Sequence, residues 1–123
     1  MREATIEIDY IGGDLSVNHY LGRGKRGNSY VKSNVVAWKE ELGWTVKPLF
    51  LDDWKLPLTV RCDGRFTDKR SCPDLSNLSK VCLDALEEAS GVNDRDMRWE
   101  DGGITIDKNR EPELTLTITE GES

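Results

Sequence analysis

The chain is expected to fold as one small α/β (α+β) domain over residues 1–123, a mixed sheet in the order β-α-β-α-β-β with two helices packed on it. Three observations lead to this expectation. Four segments alternate apolar and polar residues with a period of two, and two others carry apolar residues at helical spacing. A length of 123 residues is enough for one core and not for two. Apolar residues at 37% and charged residues at 33% suit a globular protein and argue against disorder.

The first strand is "ATIEIDYI", where Ile6, Ile8 and Tyr10 alternate with Glu7 and Asp9. A Gly-rich loop over residues 12–28 follows, longer than a simple connection needs. "SYVKSNVVAWKEEL" places Val31, Val35, Trp38 and Leu42 on one helical face, with Gly43 as the expected stop. "KPLFLDDWKLP" is a turn-rich connection, and "LPLTVRCDGRF" is a second strand with Leu58, Val60 and Cys62 on one face. "PDLSNLSKVCLDAL" is the second helix, ended by Gly91. "DMRWEDGGITIDK" and "ELTLTIT" are two closing strands, readable as a hairpin.

Composition excludes several classes of function. No apolar run approaches the ~18 residues of a membrane span. The N-terminal "MREATIEIDY" has no apolar signal region, so a cytoplasmic location is expected. Cys62, Cys72 and Cys82 are widely spaced, with only His19 to assist them, which argues for reduced thiols and against a zinc site. His19 has no nucleophile near it in sequence that would suggest a triad.

The net charge is −6 with a pI near 4.8, but its distribution is uneven. Between Leu15 and Lys39 there is no acid, while Arg23, Lys25, Arg26, Lys32 and Lys39 are basic. Arg61, Arg65, Lys69 and Arg70 form a second basic stretch before the second helix. From Glu100 onward seven acids face two bases. The plain explanation of "GRGKRG" is a solvated loop; the functional one is a phosphate clamp.

The second helix separates its faces. At 100° per residue, Leu75, Leu78, Cys82, Ala85, Leu86 and Ala89 share an arc of about 100°, and Asn77, Lys80 and Asp84 lie within about 60° elsewhere. Asp74 stands at the head, and "NDRD" follows the helix. Each feature has an ordinary account: an N-cap, a solvated i,i+4 ion pair and a turn. The same residue types also suit phosphodiester hydrolysis, in which carboxylates hold magnesium and a lysine steadies charge on phosphoryl oxygens.

"PDLSNLSKVCLDAL" with the following "GVNDRDM" resembles the central motif of the RusA family of Holliday junction resolvases. That motif is a D-x-D-N-x-x-K-x-x-x-D-A-L helix followed by G-[VI] and an acidic pair. "SVNHY", residues 16–20, resembles the family's S-V-N-x-Y segment, which likewise precedes a basic loop and a helix. The two matches fall in the family's order and spacing.

The resemblance implies a homodimeric, magnesium-dependent, structure-selective endodeoxyribonuclease of DNA recombination and repair. It would resolve four-way junctions by paired nicks in a bacterial or phage-infected cell. Asp74 matches the first metal-binding aspartate, Asn77 the asparagine after it, Lys80 the catalytic lysine and Asp84 the inner aspartate. Asp94 matches the last metal-binding aspartate, with Asp96 as the alternative. Ser76 stands where the family has its second aspartate: its hydroxyl is a weak magnesium ligand or acts through a water, Asp96 or Asp84 replaces the missing carboxylate, or the site is weakened or dead. DNA contacts are expected from Asn18, His19, Arg23, Lys25, Arg26, Lys32, Lys69 and Arg70. Two other readings stay open: a branched-DNA-binding module that has lost cleavage, and a structural domain with a coincidental motif.

Overall fold

In the computed structural model of the chain, residues 1–17, 19, 21–23 and 29–121 are described. The strands are β1 (Glu3–Asp9), β2 (Leu21–Arg23), β3 (Ser29–Val31), β4 (Leu58–Phe66), β5 (Met97–Ile106) and β6 (Glu113–Thr119). The helices are α1 (Ser33–Val46) and α2 (Ser79–Ser90). The main sheet has the order β1-β6-β4-β5, and both helices cover one of its faces. This is the expected α/β domain.

Period-two alternation decides which side of each strand meets the helices. Ile6 and Ile8 of β1, Leu58, Val60, Cys62 and Phe66 of β4, and Leu114, Leu116 and Ile118 of β6 are buried. They pack against Val35, Trp38, Leu42 and Val46 of α1 and Val81, Cys82, Ala85 and Leu86 of α2. Their neighbours, including Thr5, Glu7, Arg61 and Thr117, lie on the open face.

The closing strands do not form a hairpin. β5 pairs with β4 in parallel, while β6 lies antiparallel between β4 and β1. Burial explains the choice. Leu114, Leu116 and Ile118 are fully buried only in a central strand, at roughly 1.5–3 kcal/mol each. β5, interrupted by Asp101, Gly102 and Gly103, is exposed over most of its length and suits an edge. The connection between them crosses the end of β4. There Phe66 O accepts the Asp107 amide at 2.8 Å, and the Arg65 guanidinium donates to Glu111 O at 3.0 Å.

Two further expectations change. Residues 21–31 include a short antiparallel pair, β2 with β3, and Val31 belongs to β3 rather than to the helix. α1 runs through Gly43, which faces Ala89 of α2, and stops at Pro48, whose missing amide cannot continue the ladder. Trp38 is buried and donates its indole N–H to Asp9 O at 2.7 Å, tying α1 to the end of β1. No helix among the described residues is long and apolar enough to cross a membrane.

A bulge fixes the register of β5. Cys62 pairs with Asp101 and Gly64 with Ile104, so β5 holds one extra residue there. Asp63 Oδ1 accepts the Gly103 amide at 2.7 Å. A Cβ on Gly102 would lie 2.4 Å from that same oxygen and 2.6 Å from Cys62 O. Gly102→Ala is therefore expected to cost about 1–3 kcal/mol. Urea unfolding checks this, and an unchanged midpoint would show that the bulge has room to spare.

Candidate functional site

The chain builds toward the site from the head of α2. Pro73 precedes Asp74, whose extended backbone lets its carboxylate accept from the Ser76 amide at 3.2 Å and the Ser76 hydroxyl at 2.9 Å. Leu75–Leu78 form a 3-10 turn that leads into α2, with Leu75 and Leu78 buried. The amide of Val17 donates to the backbone carbonyl of Asn77 at 2.8 Å, and nearby Leu15 is fully buried. The "SV" of the first segment is thereby joined to the helix that carries the second.

Along α2, Lys80, Asp84 and Glu87 are spaced i, i+4 and i+7 and so share a face. Lys80 Nζ meets Asp84 Oδ1 at 3.1 Å. Gly91 closes the helix in the left-handed conformation at φ 79°, its amide donating to Glu87 O at 2.8 Å. A short 3-10 turn over Asp94–Asp96 follows, capped by Asn93 Oδ1 on the Arg95 amide at 3.0 Å. The return brings the Asp94 amide to Glu87 Oε1 at 3.3 Å.

Three carboxylates meet there. Oxygens of Asp84, Glu87 and Asp94 lie within 4.8 Å of one another, the one such acid trio among the described residues. Asp94 is shared with the expected metal set, while Asp74 and Asp96 are not in the trio. Asp74 precedes the 3-10 turn and Asp84 is well inside α2, so roughly 15 Å of helix axis separates the two levels. Asp96 makes a 4.0 Å ion pair with Arg95, and the Ser76 hydroxyl turns to Asp74. Sequence reasoning missed Glu87. Its signal was the seven-residue step from Lys80, which extends the polar stripe by one turn.

The expected DNA contacts are distributed as follows. His19 is exposed, its amide on Ser16 O at 2.8 Å. Arg23 ends β2. Asn18, Lys25 and Arg26 lie outside the described residues. Lys32 pairs with Asp14 at 2.9 Å, and Asn34 donates to the other oxygen of Asp14 at 2.9 Å. Hydrogen bonds from Lys32 and then Asn34 hold the Asp14 carboxyl below the usual range. Lys69 and Arg70 are exposed on a turn that Asp68 closes by accepting the Ser71 amide at 2.8 Å. Arg61 and Arg65 instead project from the open sheet face, where Arg61 pairs with Asp63 and Glu100 and Arg65 with Glu113.

The thiols offer no nucleophile. Burial pushes Cys62 up to about 12, Cys82 well above the ordinary thiol range and the half-buried Cys72 above it as well, so all three favour the protonated thiol at neutral pH. No protein-family model matches the chain, and no curated protein matches it.

Three carboxylates this close repel by about 1 kcal/mol per pair even in water. A hard divalent cation with oxygen ligands suits the set. Saturating magnesium is therefore expected to raise the melting temperature, by about 2–8 °C for each kcal/mol of binding. Glu87→Gln should raise the melting temperature in chelator and remove most of the magnesium response. A magnesium response that is identical in Glu87→Gln would place the cation elsewhere.

Proposed function

We propose that the chain is a RusA-like, magnesium-dependent endodeoxyribonuclease that nicks four-way DNA junctions. One observation carries the reading: Lys80, Asp84 and Glu87 form a stripe on α2, and Asp94 returns to it, so a cation held by the three carboxylates would sit beside the Lys80 ammonium. The motif resemblance rests on three of these residues.

Asp84, Glu87 and Asp94 would hold the cation, which supplies positive charge against phosphoryl oxygens. Asp84 holds Lys80 by its 3.1 Å contact and so sets where the ammonium meets a phosphate. Asp74 keeps the head of the helix in place by capping, and the Val17–Asn77 hydrogen bond ties Val17 to that same head. Arg23, Lys25, Arg26, Lys69 and Arg70 would meet the phosphates of the junction arms, contacts that position DNA without reading sequence. Paired nicks on a two-fold junction call for two copies of the chain related by a two-fold axis.

A second reading follows from Ser76. Its hydroxyl and amide occupy the Asp74 carboxylate, and Ser76 stands where the family motif has an acid. In that reading the chain binds branched DNA without cutting it.

The test is a labelled four-way junction incubated with the protein, with and without magnesium. Symmetric nicks are expected with magnesium only. Asp94→Asn and Glu87→Gln should each lower the rate by about 100-fold or more with junction binding retained. Asp74→Asn, which keeps a capping oxygen, should still nick. A dead Asp74→Asn beside a fully active Glu87→Gln would move the cation to the helix head. Binding without nicks at any magnesium concentration would select the binding-module reading, and absence of binding at low salt would reject both.

A further inference from the structure

We infer that Lys32 and Asn34 form a seat for a DNA phosphate, that the Asp14 carboxylate occupies it in the free protein, and that a phosphate of the junction displaces it. The seat rests on the proposed function for its ligand and adds a contact that controls access to it.

Asp14 is the last acid before the acid-free run that ends at Lys39. Its two oxygens are held separately: Oδ1 accepts from Lys32 Nζ and Oδ2 from Asn34 Nδ2, each at 2.9 Å. An ammonium and an amide, each on its own oxygen of one anion, are also what a protein sets against two oxygens of a phosphodiester. The charge of His19 reaches the same carboxylate, and the first turn of α1, to which Asn34 belongs, holds no acid. Both features favour an anion at this place.

The Asp14 carboxylate is not what holds its own segment. The Gly13–Leu15 turn is closed by its backbone, with the Leu15 amide on Gly12 O at 3.2 Å and the Ser16 amide on Gly13 O at 3.0 Å. Leu15 is fully buried, and the Val17 amide is fixed to Asn77 O at 2.8 Å. The carboxylate can therefore swing away with the turn intact. Its side chain is 42% exposed and that of Lys32 33%, and an ion pair this open to water is weak and screened by salt. A phosphate held in place by the rest of a bound strand displaces it.

Position gives the exchange its use. Asp14 lies three residues before Val17, so no more than about 10 Å of chain separates it from the residue tied to the head of α2. Lys80 follows Asn77 by about one turn, so the seat and the Lys80 ammonium belong to the same end of α2. Until a strand arrives, Asp14 neutralises Lys32, and single anions in solution meet an occupied seat.

The experiment is junction binding over a salt series, with nicking in magnesium assayed on the same samples. Asp14→Asn, which keeps an acceptor oxygen, and Asp14→Ser, which replaces the acid by a smaller neutral group, should each bind at least about threefold tighter than wild type near 0.1 M salt. The slope of log affinity against log salt should steepen by about 0.9 in both, because Lys32 no longer starts out neutralised. Adding Lys32→Gln should abolish both gains. A gain that survives Lys32→Gln is long-range charge repulsion and overturns the seat. Unchanged or weaker binding by both Asp14 variants overturns it too, since the carboxylate then only organises Lys32. Magnesium-dependent nicking alongside either of those results leaves the endonuclease reading standing. A Lys32-dependent gain without nicks at any magnesium concentration does the reverse, keeping the seat and rejecting the nuclease.

Discussion

The turn at Gly91 is the constraint on which the rest of the molecule depends. With φ at 79°, it stops α2 at a position that most residues would enter only under strain. From there the chain reverses, Val92 is buried, and Met97 enters β5 beside Leu58 of β4. Without this reversal, β4, α2 and β5 would not close as a parallel unit, and Asp94 would not reach Glu87. One backbone conformation thus sets both a sheet edge and the place where three carboxylates converge.

The electrostatic arrangement follows from the same frame. The 3-10 turn buries Leu75 and Leu78, and α2 turns Val81, Cys82, Ala85 and Leu86 to the core, which forces Lys80, Asp84 and Glu87 outward together. Their mutual spacing is a consequence of core packing as much as of chemistry. The repulsion among Asp84, Glu87 and Asp94 is partly offset by Lys80 and by the Asp94 amide, both of which offer positive charge to the cluster. On the other side of the molecule, the open sheet face separates its charges: acids on β1, and arginines largely tied to acids on β4. That face is less available to a polyanion than the segments before and at the head of α2.

Much of this was legible in sequence, and the exceptions have physical causes. The strands β1, β4 and β6 announce themselves by clean alternation, and Gly91 by its place after the last apolar residue of α2. The pairing of β5 and β6 was not legible from adjacency. It depended on burial, since only a central position hides Leu114, Leu116 and Ile118, and the broken pattern of β5 was the available clue. Gly43 misled because a glycine within a helix can mark a close approach to a neighbour rather than an end; Pro48 was the stronger signal. The candidate site was half legible. Lys80, Asp84 and Asp94 stood out by motif and spacing, but the fold brings Asp94 to the body of α2 rather than to its head. Glu87 went unseen because, in sequence, it looked like one more exposed acid.

The central claim is that Asp84, Glu87 and Asp94 form one cation site. The most direct measurement is anomalous diffraction from crystals soaked in manganese, a close stand-in for magnesium at oxygen ligands. One anomalous peak is expected within about 2.0–2.5 Å of carboxylate oxygens from all three residues. A peak held by Asp74 at the head of the helix, or no peak at the trio under saturating manganese, would contradict it.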